Sequence, residues 1–352
     1  MAEAKPTSGR VTLRDVADVV GVTPAAVSMA LRGSSRIGKE TTERIRAAAR
    51  ELGYVTNSAG RALRAQRSGS IALVVPNTSQ HVFGHSYFMH LLVGVSEVGD
   101  SRGAPVIIST SVVAEHGINA YERILRSQVA DGAIVASAAA QDRDLESLVA
   151  SGLPVVLIGR SVTLPDAVWV GVDDEAGGEL AARHMIEQHG ARRIVHVSGP
   201  LDHQSAIDRL EGCRRASAAA GLPEPRVIQG DFSEASGVAA GRTLLADGLD
   251  GADAIVAAND EMAYGLMREL GAAGVSVPDD LGLIGYDDFG LARVTTPGIS
   301  TIRVPAELIG RRAASELFGL LDGREPAHRH VLLPVELIAR GSCGCPTPAQ
   351  HD

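Results

Sequence analysis

Cysteine is scarce: three residues in a chain of 352. That is too few for a disulfide framework and points to a reducing, cytoplasmic setting. No window approaches about 18 uncharged apolar residues, which excludes a membrane-spanning helix. Met1 to Arg10 is polar, with no apolar stretch behind its charges, so no secretory leader is expected. There is no Walker loop, no G-x-G-x-x-G after a first strand and no G-x-S-x-G elbow. Asp and Glu pairs are plentiful but have no specific spacing. An α/β sugar- or nucleotide-modifying enzyme with a basic N-terminal extension is the alternative reading. It lacks a recognisable catalytic constellation, and a non-enzyme is expected.

What is present suits a folded protein. Hydrophobic residues make up 45% and charged residues 21%, which argues against wholesale disorder. The length allows two or three domains. The net charge of −9 is unevenly spread: residues 1–67 hold 12 basic and 6 acidic side chains, a net of +6, leaving −15 for the remainder. Arginine supplies all the basic residues but Lys5 and Lys39. A basic head on an acidic body suggests that the head meets a polyanion; a solvated basic tail would give the same charge.

Residues 1–10 read as a disordered lead-in. From Ile71 onward short apolar runs alternate with amphipathic stretches: Ile71–Val75, Val106–Ile108, Ala133–Val135, Val155–Ile158, Ile194–Val197, Ala254–Val256 and Leu281–Ile284. Continuous apolar runs between helices mean parallel strands covered on both faces. Seven such runs are too many for one small sheet and predict two lobes.

The head is helical. Leu13, Val16, Ala17 and Val20 fall at i, i+3, i+4 and i+7, one buried stripe. Gly21 ends that helix at least cost in a left-handed conformation. Thr23 is an N-cap and Pro24 suits the first helical position of a second helix to Leu31, with Val27, Ala30 and Leu31 inward. A third helix runs from Lys39 to Leu52 on the stripe Ile45, Ala48, Ala49, Leu52. The small Ala17, the glycine four residues later and Val27 make a helix-turn-helix pattern, although three short helices also fit a plain bundle.

Asn57 to Ser70 holds Arg61, Arg64 and Arg67, one leucine, Leu63, and no carboxylate. So short a helix is marginal in water, and Gly60 costs about a further 1 kcal/mol against alanine. A DNA minor groove could neutralise the arginines and receive Leu63. A flexible basic linker fits the composition equally well.

Val11 to Ala17, Gly21-Val22-Thr23, Val27-Ser28, Glu51-Leu52-Gly53-Tyr54, Asn57 and Leu63, in this order and spacing, resemble the head of the LacI/GalR family of bacterial transcription regulators. The body matches in register through Val129 to Ile134, Val172-Asp173-Asp174, Ala258-Asn259-Asp260, Ile284 to Asp288 and Thr301-Ile302. The resemblance implies an all-α helix-turn-helix head plus an α/β two-lobed, periplasmic-binding-protein-like (type I) body. It places the DNA-binding domain at 11–56, a hinge helix at 57–69 and the effector-binding, dimerising body at 70–342. The N-lobe is expected at about 70–171 and 304–331, the C-lobe at about 172–303 and 332–342, and a flexible tail at 343–352. The implied function is a ligand-responsive regulator, foremost a repressor, acting as a homodimer on a near-palindromic double-stranded operator.

The resemblance also carries site residues. Thr12, Thr23, Ser28 and Asn57 stand where the family touches phosphate or backbone. Pro24, Ala25 and Met29 stand where its second helix faces base edges; these depart from the family's polar residues and cannot make bidentate hydrogen bonds to bases. Arg61, Leu63 and Arg64 belong to the minor-groove segment. In the body, Arg209 matches an effector-clamping arginine, Asp287 an acceptor, Asn259 a mixed donor and acceptor, and Phe232 an aromatic platform. This set suits a sugar more than a nucleobase. Tyr87 and Phe88, in a histidine-rich loop (77–88), are candidate pocket residues, and Arg160 could face an anionic ligand. His81 and His85 lack a third ligand, and Cys343-Gly344-Cys345 alone is a weak metal or redox signal. No metal and no cofactor are expected. The absence of leucine heptads after Cys345 predicts a dimer rather than a tetramer.

Overall fold

The computed structural model describes residues 11–31, 34–54, 68–111 and 119–346. The chain divides into two compact units, 1–67 and 68–352. In the first, helices α1 (Leu13–Val20), α2 (Pro24–Leu31) and α3 (Lys39–Glu51) enclose Val16, Ala17, Val20, Val27, Ala30, Ile45, Ala48 and Ala49. Leu31 is only half-buried at the edge of this core. Thr12 and Asp15 form a capping box on α1: Thr12 N donates to Asp15 Oδ2 at 2.7 Å, and Asp15 N to Thr12 Oγ1 at 3.4 Å. Gly21 closes α1 at φ +76°, and Ala26 N donates to Thr23 Oγ1 at 3.2 Å to open α2. The turn between the two helices is therefore set by local chemistry at both ends.

The second unit contains two six-stranded sheets. One has the order β11-β5-β4-β3-β1-β2, with β1 Ile71–Thr78, β2 Val106–Ser111, β3 Gly132–Val135, β4 Val155–Ile158, β5 Val168–Val172 and β11 His330–Leu333. The other has the order β12-β10-β9-β8-β6-β7, with β6 Ile194–Ser198, β7 Arg226–Gln229, β8 Ala254–Ala257, β9 Gly282–Asp287, β10 Ser300–Arg303 and β12 Glu336–Ile338. Every pairing is parallel except β10 with β12. All seven apolar runs map onto these strands, with Leu281 one residue ahead of β9, and the central ones β3, β8 and β9 are buried throughout, as helix-covered parallel strands must be.

On the first sheet lie α4 (Ser79–Gly84), α5 (Ser86–Arg102), α6 (Ala120–Ser127), α7 (Arg143–Ala150) and the returning α13 (Ala306–Leu321). The second carries α8 (Asp174–His189), α9 (Gln204–Ala219), α10 (Glu234–Ala246), α11 (Asp260–Ala272) and the short α12 (Leu291–Val294). The chain crosses between lobes three times: Val172 to Asp174, Arg303 to Ala306, and Leu333 to Glu336. The third crossing comes two residues later than expected, because Leu332 and Leu333 stay in register with Gly171 and Val172 of β5. No described helix is long and apolar enough to cross a membrane.

Two further features position functional groups. Helices α8 and α9 cross at glycines: a Cβ on Gly178 would lie 2.1 Å from Arg209 O, and one on Gly212 would lie 2.0 Å from Glu175 O. This close approach sets Arg209 beside the first turn of α8. The expected flexible tail also does not start at residue 343. Cys343 ends a short 3₁₀ turn (Gly341–Cys343) and is buried. Its neighbour Ser342 donates to Leu283 O at 2.7 Å and accepts from Ser300 N at 2.8 Å, which docks this segment onto β9 and β10.

Candidate functional site

Between the two sheets of the body lies a cavity of about 380 Å³. All seven residues expected there, Tyr87, Phe88, Arg160, Arg209, Phe232, Asn259 and Asp287, line it. They come from strand ends and helix starts, where a doubly wound sheet exposes its ligand-binding crevice.

Arg209 is the organising group. Its guanidinium is buried and lies over the Tyr286 ring, 3.7 Å from the centroid and 6.0 Å from that of Phe232. Nε donates to Asp174 Oδ1 at 2.8 Å and Nη1 to Ala258 O at 2.5 Å; Asp287 Oδ1 stands 3.8 Å from Nη1. Burial alone would lower the arginine's pKa, but Asp174, Tyr286 and Asp287 outweigh it and raise it. Both carboxyls are pushed up by burial, Asp287 well above the usual range, with Arg209 opposing. Asp287 is held at φ +112°, and Phe232 at φ +69°. Both lie in the left-handed half of the backbone map, where non-glycine residues are strained and cluster at functional sites. Gly199 makes room for the Phe232 ring, since a Cβ there would meet Phe232 Cζ at 2.2 Å.

Asn259 lines the cavity and both donates and accepts within the protein. Its Oδ1 accepts from Met262 N at 3.0 Å, capping α11, while Nδ2 donates to Phe232 O at 2.7 Å and to Glu261 Oε2 at 3.0 Å. It holds the strained Phe232 in place. Arg160 is not a free cation for an anionic ligand. Nε and Nη2 donate to Asp208 Oδ2 and Oδ1 at 2.9 and 2.5 Å, and Gln204 Nε2 adds 2.7 Å to the same carboxylate. Because Arg160 follows β4 and Asp208 lies on α9, this pair clasps the lobes together. Ala140 N to Asp202 O at 2.6 Å is a second cross-lobe bond.

The histidine-rich segment expected as a loop folds as α4 and the start of α5, and it lines the cavity through His81 and His85 as well as Tyr87 and Phe88. The two histidine ring centroids are 4.2 Å apart. Burial lowers both pKa values, His85 to about 4, so His85 is neutral at pH 7 and can both donate and accept. Phe88 is buried in the apolar core and packs edge-on against Tyr87 at 5.5 Å. Sequence reasoning missed Asp174 and Asp208. For Asp174 the signal was present: Val172-Asp173-Asp174 puts two carboxylates at a strand end, where Asp173 caps α8 by accepting from Ala176 N at 2.9 Å and Asp174 turns inward to Arg209.

In the head, Pro24 and Ala25 are exposed on the first turn of α2, and Ser28 and Met29 are half-buried beside them. The Thr12 and Thr23 hydroxyls serve as helix caps. Asn57, Arg61, Leu63 and Arg64 lie outside the described residues.

Residues 12–57 match the model of bacterial regulatory proteins of the lacI family, and residues 182–343 match a periplasmic binding protein-like domain. The HTH-type transcriptional regulator CelR of Thermobifida fusca is 35% identical over 340 residues, 95% of this chain and 98% of that one. The chain belongs to the lacI family of bacterial regulatory proteins. Solved structures of the family agree over nearly the whole length. A CelR–cellobiose complex superposes with a TM-score of 0.73 at 34% identity, over 95% of this chain and 100% of that one. A lac repressor dimer bound to operator and the anti-inducer ONPF gives 0.83 at 26% identity, over 95% and 99%. This lacI-family protein is a DNA-binding transcription regulator, with a helix-turn-helix head and a two-lobed α/β body.

Proposed function

We propose that this regulator is a repressor controlled by a sugar of one or two rings, which binds in the cleft, and that it acts as a homodimer on a near-palindromic operator in the cytoplasm. One observation carries the effector reading: Arg209, stacked on the buried Tyr286 ring, converges with Asp174 and Asp287 beside Phe232 in the cavity wall. The guanidinium has five donors; two go to Asp174 and Ala258, which leaves the others for ligand hydroxyls. Asp287 has no close hydrogen-bond donor among the described residues and accepts from a hydroxyl pair. The Phe232 ring, which lines the cavity, suits the apolar face of a pyranose. The volume lies at the small end of ligand pockets, about 300–1,000 Å³. The relatives that bind cellobiose and ONPF occupy the same fold. The site reads as a binding module, not an enzyme: its charged groups pair with one another rather than activating a nucleophile.

On the DNA side, Thr12, Thr23, Ser28 and Asn57 contact the phosphate backbone. Pro24, Ala25 and Met29 face base edges through apolar contacts such as thymine methyls, and Arg61, Leu63 and Arg64 enter the minor groove. Opening or closing of the Arg160–Asp208 clasp couples ligand to DNA by shifting the lobes of the dimer. A thermal-shift screen against sugars, sugar phosphates and nucleobases, followed by calorimetry on wild type and Arg209→Ala, tests the reading. A sugar should stabilise the wild type and lose at least tenfold in affinity with Arg209→Ala. Stabilisation by nucleobases alone, or turnover of the sugar, would overturn it.

A further inference from the structure

Far from the cleft, the last two turns of α8 and the end of the body bring four potential ligands together. The His184, His189, Cys343 and Cys345 donor atoms all lie within 4.8 Å of one another. Neither the cleft nor the DNA-binding head uses any of them. We infer that these four side chains form a structural zinc site that staples the chain's C-terminal segment to α8.

The distances support a tetrahedron. Zinc bonds of about 2.3 Å to sulfur and 2.0–2.1 Å to nitrogen give tetrahedral edges of about 3.3–3.8 Å. His184 Nε2 stands 3.3 Å from His189 Nε2, 3.4 Å from Cys343 Sγ and 3.6 Å from Cys345 Sγ, and His189 Nε2 stands 3.4 Å from Cys345 Sγ. Two thiolates and two neutral imidazoles around Zn²⁺ leave no net charge, so a part-buried site carries no unpaired ion. Binding releases the two thiol protons to solvent. Soft sulfur with imidazole in a closed set of four is the donor chemistry of structural zinc.

The surroundings hold the ligands in place. Gly344 between the cysteines sits at φ +98°, and a Cβ there would come within 3.3 Å of the His189 ring. Glycine therefore lets the two sulfurs flank the imidazoles. Ser300 Oγ lies 3.0 Å from Cys343 Sγ and 2.9 Å from Arg340 O. It has one proton to donate, and a metal-bound thiolate is the stronger acceptor. Such a hydrogen bond fixes the ligand and tunes the metal. Arg340 anchors the same segment by donating from Nη2 to Asp288 Oδ1 at 2.5 Å. The opposite end of α8 carries Asp174, so the staple fixes the helix that positions Arg209. The zinc assignment does not depend on the effector reading.

The test uses the full-length protein, purified under reducing conditions from zinc-supplemented cultures. One zinc per chain should survive dialysis. Replacing it with Co²⁺ should give a thiolate-to-cobalt charge-transfer band and visible d–d bands of tetrahedral intensity. Cys345→Ser and His189→Gln should lose both signals while keeping the wild-type circular dichroism spectrum. A chelator should lower the melting temperature of the wild type and leave that of the two variants unchanged. Ser300→Ala should keep the site but weaken zinc by about tenfold or more. The inference is overturned if reduced protein holds no zinc and shows no cobalt–thiolate band. It is also overturned if Cys343 and Cys345 pair as a disulfide in freshly purified protein, or if Cys345→Ser and His189→Gln retain zinc as tightly as wild type.

Discussion

Asp287 and Asp288 are adjacent, both buried, and electrostatically opposite. Burial alone would raise the Asp288 carboxyl, but hydrogen bonds from Arg340 and Arg303, with Arg293 behind them, hold it below the usual range. Its partners stand at 2.5, 2.8 and 3.3 Å. Asp287 turns the other way, into the cleft, where Arg209 at 3.8 Å is its nearest cation and burial pushes its carboxyl up. The first carboxylate is satisfied by the fold: Arg303 on β10 and Arg340 beside the last turn fasten β9 to them. The second has acceptor capacity that a ligand can fill. A buried charge with full partners is architecture, and its under-partnered neighbour marks the site.

Breaking the comparison should have its largest effect at Asp288. Asp288→Ala leaves the part-buried Arg340 guanidinium with Ile299 O but without its carboxylate, and loss of a buried pair's partner costs about 3–5 kcal/mol; urea unfolding should show it. Asp287→Asn should instead keep or raise stability while costing effector affinity about 1.5–3 kcal/mol, the range for hydrogen bonds to charged groups; calorimetry measures this. The pH dependence should also separate them. Asp288 contributes stability present above the unfolded carboxyl value, about 3.9, and lost as pH falls through its lower folded value. Wild type should therefore lose stability below about pH 4 more steeply than Asp288→Asn. Asp287 has the raised value, so its contribution is lost as pH climbs above about 4, and the advantage of Asp287→Asn over wild type should grow in that direction. The smallest effect should fall on Arg303, half-exposed and one of three partners: Arg303→Ala should cost under about 1 kcal/mol and less than Arg340→Ala. Equal losses would show that the three arginines are not graded by burial.

The same contrast explains how much could be read before the fold was known. Most central strands announce themselves because burial on both faces leaves an unbroken apolar run, as in Ile71–Val75; the central Ser300–Arg303 is buried but too polar to do so. Of the edge strands only Val106–Ser111 does so; Arg226–Gln229, His330–Leu333 and Glu336–Ile338 are half-exposed and chemically mixed, so the third crossing falls two residues beyond its expected place. The cleft residues carried by resemblance converge, but their division of labour was invisible. Asn259 holds a loop and Arg160 a clasp, and both roles depend on partners far along the chain, Phe232 and Asp208. The two cysteines read as a weak local pair because the histidines completing the set lie more than 150 residues earlier in the sequence.

The most direct measurement is fluorescence anisotropy of the full-length protein on its own promoter DNA, titrated with and without a cleft-binding sugar, for wild type and Asp287→Asn. The sugar should shift the wild-type DNA affinity by the same factor by which DNA shifts the sugar affinity. Asp287→Asn should bind the DNA normally, with the shift abolished at the same sugar concentration. A wild-type affinity for DNA that ignores every sugar bound in the cleft would contradict the coupling of cleft to head.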